Sequence, residues 1–351
     1  MNPFTFTQAG DIDAALARLA TPGVRPIAGG TNLLDLMKEG VMQPDELVDI
    51  NGLGLDTIEE APGGGLRLGA LARNADTAYH PLVRERYPLL SAAILAGASP
   101  QLRNMASNGG NLMQRTRCYY FYDLATPCNK REPGSGCSAR NGLNRLHAIL
   151  GTSEHCIATH PSDMCVALRA LDAVVHVRSQ GGAREIAIAD FHRLPGDHPE
   201  LDNTMQPGEL ITHIALPEAG RYAGHSAYIK VRERLSYAFA LVSVAAALEL
   251  DGGKDGKIVS ARIALGGVAH KPWRVEEAEQ ALVGKAPCHD AFGAAADIVL
   301  HGAHGHGQND FKLTLARNAI EQALSTAARG TAHARVEQRG EQRDEQRGEQ
   351  Q

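Results

Sequence analysis

The stretch PIAGGTNLL, residues 26–34, constrains this chain more than any other. A strand-like run, VRPIA, ends on Gly29 and Gly30, and an apolar run, NLLDLMK, follows two residues later. Paired glycines at a strand-to-helix junction let backbone N–H groups approach an anion, and the helix N-terminus adds positive field. Thr31 and Asn32 supply side-chain donors. A diphosphate cradle fits this arrangement. An ordinary β–α turn needing positive φ accounts for the same glycines, and the stretch has neither GxGxxG nor a P-loop lysine. QLRNMASNGGNLMQ, residues 101–114, repeats the theme with Gly109 and Gly110 flanked by Ser107, Asn108 and Asn111. Two such loops suit the two sides of one long dinucleotide; two independent tight turns are the plain alternative.

Around these turns the pattern is mixed. A helix over 11–20, capped by Asp11, and strands at 24–28 and 46–50 make a small α/β unit over residues 1–55. A second unit, 56–218, opens on the hairpin TIEEAPGGGLRLGAL. Helices at 74–78 and 82–98 follow, then a helix within 158–173 and strands at 174–179, 184–191 and 210–217. A third unit, 222–328, holds the strand YIKVR, the apolar run FALVSVAAALEL (239–250) read as a helix, and the strand VSARIALGGV. Amphipathic helices are expected at 273–282 and 311–327. The terminal EQRG-type repeat, 333–351, has no apolar face and is expected to be disordered or a solvated helix.

Composition narrows the class. A chain of 351 residues, 43% hydrophobic, has room for two or three cores. A net charge of −5 without a basic stripe argues against nucleic acid. No run reaches the roughly 18–20 apolar residues that span a bilayer. The N-terminus lacks a signal-peptide pattern, so the expected compartment is the cytoplasm. Export alongside a signal-bearing partner would put the chain in the periplasm and leave no mark on it.

Five of the six cysteines fall between residues 118 and 165, spaced C-x9-C-x8-C-x18-C and then eight residues to Cys165. Structural disulfides are rare in large chains of intracellular character. Zinc sites usually show CxxC pairs, and none occurs. Cys118, Cys128, Cys137 and Cys156 stand singly among Pro, Gly, Asn, Lys and Arg, which suits a bulkier iron–sulfur cluster. Ordinary buried cysteines are the alternative, and Cys165, inside the apolar run DMCVALRAL, fits that reading best. Lys130, Arg131, Arg115 and Arg117 lie nearby to offset cluster charge, and Gly134 and Gly136 to present N–H groups to sulfur. HGAHGHG, residues 301–307, has no acidic or thiol partner and is not read as a metal site.

PIAGGTNLLDLMK, LRNMASNGGNL, HPSDMCVAL, YIKVRER, FALVSVAAAL and ARIALGGVAHKPWR occur in an order that resembles the FAD-binding medium subunit of molybdenum hydroxylases. These are the xanthine dehydrogenase and aldehyde oxidoreductase type, and the resemblance spans roughly residues 1–327. It implies an α+β chain: a vanillyl-alcohol-oxidase-type (PCMH) FAD fold of two α/β subdomains, then a CO-dehydrogenase-flavoprotein-like α/β domain. Ile27, Ala28, Gly29, Gly30, Thr31, Asn32, Leu33 and Leu34 would carry the FAD diphosphate. Ser107, Gly110 and Asn111 would continue the site, Asp163 would accept from FAD hydroxyls, and Ile211 and Lys230 would lie near the isoalloxazine. Bacterial aldehyde oxidoreductases and 4-hydroxybenzoyl-CoA reductases of this family carry an extra 4Fe–4S cluster. CNKREPGSGC and TSEHCIATHPSD look like the aldehyde oxidoreductase version, with Cys118, Cys128, Cys137 and Cys156 as ligands in an insertion at 115–157. The resemblance further implies a large molybdopterin subunit, a small 2Fe–2S subunit and an external electron acceptor.

Overall fold

The computed structural model describes residues 1–252 and 256–331; the expectation for the terminal repeat lies outside them. The described chain is built on three sheets. Strands β1 (Thr5–Gln8), β2 (Val24–Ile27) and β3 (Glu46–Asp49) form a parallel sheet ordered β1-β3-β2. The helix Ile12–Leu19 buries Ala15, Leu16 and Leu19 beside this sheet, and Asp11 caps it by accepting from the Ala14 N–H at 2.7 Å. β1 was not anticipated. Its side chains are mostly exposed and it lies at a sheet edge, so the run carries no apolar alternation.

Strands β4 (Ile58–Glu60), β5 (Leu66–Gly69), β6 (Val174–Ser179), β7 (Gly182–Ala187) and β8 (Leu210–Leu216) form an antiparallel sheet ordered β4-β5-β8-β6-β7. Between β5 and β6 the chain makes several short helices and the whole cysteine-rich segment. The single helix expected over 82–98 is two, Pro81–Arg86 and Pro88–Ala96. Pro88 lacks an N–H to continue the first helix, and as a first-turn residue it starts the second. The strand expected over 184–191 stops at Ala187, after which Ile188–Phe191 is a helical turn burying Ile188 and Phe191.

Strands β9 (Ser226–Val231), β10 (Val242–Leu250) and β11 (Ile258–Gly266) form the third sheet, antiparallel and ordered β11-β10-β9. FALVSVAAALEL is therefore a strand and not the expected helix. β10 is central and covered on both faces. Val244, Ala246 and Leu248 share a core with Phe292, Ala296 and Ile320 of the C-terminal helices. Ala245 and Ala247 join the core of Met164 and Val166, in the helix Asp163–Ala170. A strand buried on both sides reads as one continuous apolar run, which periodicity cannot tell from a buried helix. Trp273 pairs with Leu265 in an isolated bridge, so the next helix begins only at Glu276. The helix His289–Val299 was missed, and Phe311–Ala328 closes the described fold. Among the described residues no helix is long and apolar enough to cross a membrane.

Candidate functional site

The first glycine turn is half-open along its whole length. Val24 and Leu36 are buried, while residues 26–34 between them are all partly exposed. Gly30 has φ +69°, and a Cβ on Gly29 would stand 1.9 Å from the Met105 carbonyl oxygen. The second glycine loop therefore packs directly on the first, and only glycine permits that approach. Among the described residues, the backbone N–H groups of Gly29, Gly30, Thr31 and Asn32 donate to no protein acceptor. The side-chain Nδ2 of Asn32 is buried and also without a partner, while its Oδ1 accepts from the Arg115 N–H at 2.9 Å. Four consecutive free N–H groups plus an orphaned amide suit an anion such as the FAD diphosphate. Ile27, Ala28, Leu33 and Leu34 flank this cradle.

The second loop is fixed by Asn108, which the sequence marks only as a neighbour of the paired glycines. Asn108 is fully buried; its Oδ1 accepts from Asn74 Nδ2 and Thr77 Oγ1, and its Nδ2 donates to the Gly69 carbonyl. Ser107 caps the turn by accepting from the Gly110 N–H at 3.2 Å. Asn111 donates to Asn74 Oδ1 and accepts from Ser162 Oγ, each at 2.7 Å. Ser162 in turn accepts from the Cys165 N–H and starts the helix Asp163–Ala170. Ser107, Gly110, Asn111 and Asp163, assigned to one site, are thus joined through one polar chain.

Asp163 is buried and already engaged. Its Oδ1 accepts from the Tyr228 hydroxyl at 2.7 Å and its Oδ2 from Lys230 Nζ at 2.8 Å. Lys230 also donates to the Ala96 carbonyl. Burial and the neighbouring Asp163 raise the Tyr228 hydroxyl well above its ordinary pKa, so it remains a donor. Tyr228 and Lys230 alternate on β9, which points both at the start of the helix. The sequence reading treated Tyr228 only as part of a strand; its place two residues before Lys230 was the available signal. Ile211 does not join this group. It is 5% exposed, in the core with Met164 and Val166.

Asp163 opens onto a cleft lined also by Arg117, Cys118, His147, Phe239 and Gly266. Behind one wall lies a second pocket, and Cys118, Cys128, Cys137 and Cys156 all line it. Thr116 and Cys118 belong to both. Cys128 and Cys137 face each other across an isolated bridge, tightened by Asn129, whose Oδ1 accepts from the Gly136 N–H at 2.8 Å. A hydrogen bond from Cys156 lowers Cys137 to about 6, and the same bond, with burial, raises Cys156. Burial pushes Cys118 up to about 12. A thiol pocket with one low-pKa sulfur and no disulfide has the donor chemistry of an iron–sulfur site. Cys165 stays outside it, fully buried near His160 and His192.

The basic residues near the pocket are more committed than their sequence positions suggest. Lys130 is buried, donating to Asp202 Oδ1 and the Pro199 carbonyl, each at 2.6 Å. Arg115 Nε meets Asp202 Oδ2 at 2.5 Å. Burial opposes ionisation of Asp202, but Lys130 and Arg115 together hold its pKa lowered. Two cations on one carboxylate leave one positive charge beside the pocket. Arg131 is spent on the carbonyls of Tyr120 and Phe121. The Gly136 N–H is taken by Asn129 rather than free for sulfur.

Comparison with known proteins agrees with this geometry. The family described as the FAD binding domain in molybdopterin dehydrogenase matches residues 2–219, and the CO dehydrogenase flavoprotein C-terminal domain matches 226–327. The chain is 52% identical over 329 residues to the aldehyde oxidoreductase FAD-binding subunit PaoB of Escherichia coli (strain K12), covering 93% of this chain and 99% of that one. It is 27% identical over 335 residues to the carbon monoxide dehydrogenase medium chain of Afipia carboxidovorans, covering 92% and 98%. Among solved structures, reconstituted CO dehydrogenase from Oligotropha carboxidovorans superposes with a TM-score of 0.73 at 25% identity, covering 94% and 99%. Quinoline 2-oxidoreductase from Pseudomonas putida 86 gives 0.70 at 25%, covering 93% and 98%. With both domains matched in order over nearly all of its described length, the chain belongs to the FAD-binding medium subunits of the molybdenum hydroxylase family.

Proposed function

We propose that this chain is the FAD- and 4Fe–4S-containing electron-transfer subunit of a heterotrimeric molybdenum aldehyde oxidoreductase. The large molybdopterin subunit oxidises an aldehyde with water to a carboxylic acid, and the small subunit passes electrons on through 2Fe–2S clusters. This subunit delivers them to an external acceptor. The observation that carries the reading is the pocket lined by four separated cysteines, which shares Thr116 and Cys118 with the cleft at Asp163. The likeness to an aldehyde oxidoreductase subunit favours the aldehyde among the family's substrates. The three sheets are taken as domains over 1–55, 56–218 and 222–328, with the cluster insertion at 115–157.

FAD, when bound, takes up electrons singly and releases them in pairs. The chain's own residues bind and orient it. The N–H groups of Gly29 to Asn32 hold the diphosphate, and Ser107, Gly110 and Asn111 take its other side. Asp163 accepts from cofactor hydroxyls, with Lys230 holding its carboxylate in place. Cys118, Cys128, Cys137 and Cys156 hold the cluster, and no residue of this chain serves as general base toward the aldehyde.

The test is iron and flavin content of the anaerobically purified chain with Cys128→Ser beside it. The variant loses iron and keeps flavin. Unchanged iron removes the ligand assignment, and aldehyde turnover by the molybdenum-free chain removes the division of labour.

A further inference from the structure

Of the four pocket cysteines, Cys118 alone also lines the cleft at Asp163. Its sulfur has a side-chain neighbour, His147, whose Nε2 lies 3.1 Å from Cys118 Sγ. We propose that His147 is a positioning residue that sets the reduction potential of the cluster by donating its Nε2–H to the Cys118 sulfur, an inference that rests on the 4Fe–4S reading of the pocket.

Two observations support the direction of that bond. His147 is 2% exposed, and its other ring nitrogen, Nδ1, is buried without a hydrogen-bond partner. A proton on Nδ1 would be a buried donor with nothing to receive it, whereas a bare Nδ1 leaves only an unused lone pair. The proton therefore belongs on Nε2, facing sulfur.

The main chain that carries the imidazole is also fixed from behind. The His147 carbonyl accepts from Lys312 Nζ at 2.9 Å and from Asn309 Nδ2 at 3.2 Å, and the His147 N–H donates to the Asn144 carbonyl at 2.9 Å. Lys312 is itself fully buried and donates to the Gly267 carbonyl as well. Lys312 in the C-terminal helix and Asn309 just before it thus fix the backbone from which the ring reaches Cys118.

The chemistry then follows. Hydrogen bonds to cluster sulfurs stabilise the more negative, reduced form and raise its potential. The backbone N–H groups of Tyr120 and Phe121 also approach this sulfur. His147 adds a side-chain donor at the ligand that stands between cluster and flavin cleft, where tuning bears most directly on electron exchange.

The experiment is a redox titration of the cluster, followed by electron paramagnetic resonance, in the full chain carrying His147→Phe or His147→Gln. Iron and flavin content are measured on the same samples. Phe keeps a ring without an N–H, and Gln restores a side-chain N–H donor. The expected result is unchanged iron and flavin in both variants. The cluster potential shifts negative in H147F and returns toward the wild-type value in H147Q, with the flavin potential unmoved. An unshifted potential in iron-replete H147F overturns the proposal. So does iron loss in H147F with wild-type protein iron-replete, because His147 would then hold the cluster rather than tune it. A wild-type chain without iron overturns the cluster reading itself and the tuning role with it.

Discussion

Replacing Lys230 by Met tests how the flavin-side cleft is held. Asp163 and Lys230 are an ion pair with side chains 7% and 3% exposed, and the pair spans the second and third sheets' elements. Met matches the lysine stem in length, so little packing is lost and the charge is the variable. Removing one partner of a buried pair leaves the other charged and uncompensated, which costs about 3–5 kcal/mol. The Tyr228 hydroxyl still donates to Asp163 Oδ1, which favours the low end of that range. At roughly 2–4 °C per kcal/mol for a body of this size, the melting temperature falls by about 10 °C. The double variant Asp163→Asn/Lys230→Met removes both charges and keeps an acceptor for Tyr228. It should recover most of the loss, giving a coupling energy of about 2–3 kcal/mol in the double-mutant cycle. Thermal unfolding by circular dichroism on flavin-stripped protein reads this directly, and flavin content reads the consequence for the cofactor. A single variant as stable as wild type, or a double variant no better than the single, would refute the view of the pair as a buried electrostatic clasp.

Two further outcomes follow from the same geometry. Gly29→Ala drives a methyl into the Met105 carbonyl oxygen, so the two glycine loops must part. A loss of about 1–3 kcal/mol is expected, with flavin content reduced more than secondary structure, whereas Gly10→Ala, with open space around it, is neutral. Burial lowers Lys312 to about 7, below the ~10.4 of an unfolded lysine. Between these values the unfolded chain binds the extra proton, so stability rises with pH across that window and its penalty is complete below about pH 7. Lys312→Met should flatten that rise in urea titrations at pH 7 and pH 9, at the cost of the donor to the Gly267 carbonyl, while the His147 carbonyl keeps Asn309.

What could be read from the chain depended on whether the signal was local. Gly29 and Gly30 are legible because a strand, a turn and a helix follow one another within nine residues. The four cysteines are legible because clustering and the lack of CxxC need no third dimension. A helix start within 158–173 is legible, while the structure gives the cap to Ser162, which accepts from the Cys165 N–H. The sequence shows Asn108 only as a neighbour of the glycine pair and Tyr228 only within a strand, and gives Asp202 no part, although each is a hub of the polar network. Their partners lie 31 to 87 positions away, at Thr77, Asp163 and Arg115, and nothing in a local window marks an asparagine as buried. The β10 segment failed for another reason. Both of its faces are covered, so its apolar run has no period from which a strand could be told.

The cysteine-rich segment makes few regular elements, and its order comes from its surroundings. Ile149 and Leu150 donate to the Val268 carbonyl, and His160 to that of Ala269, tying the segment to the turn after β11. Asn144 Nδ2 reaches the His306 carbonyl, Lys312 holds His147, and Lys130 is clasped by Asp202 in the loop before β8. The same turn after β11 lines the cleft at Asp163 through Gly266 and Gly267. The thiol pocket and the cleft are therefore two faces of one scaffold rather than a site and an appendage. A ligand filling either should protect the other, because His147, within the segment these bonds order, meets the Cys118 sulfur on the shared wall. Hydrogen exchange can separate the cases. Loading flavin into iron-free protein should slow exchange at Ile149 and Leu150, which touch the third unit, if the scaffold is shared. Exchange there that ignores flavin would mean the pocket and the cleft are ordered independently.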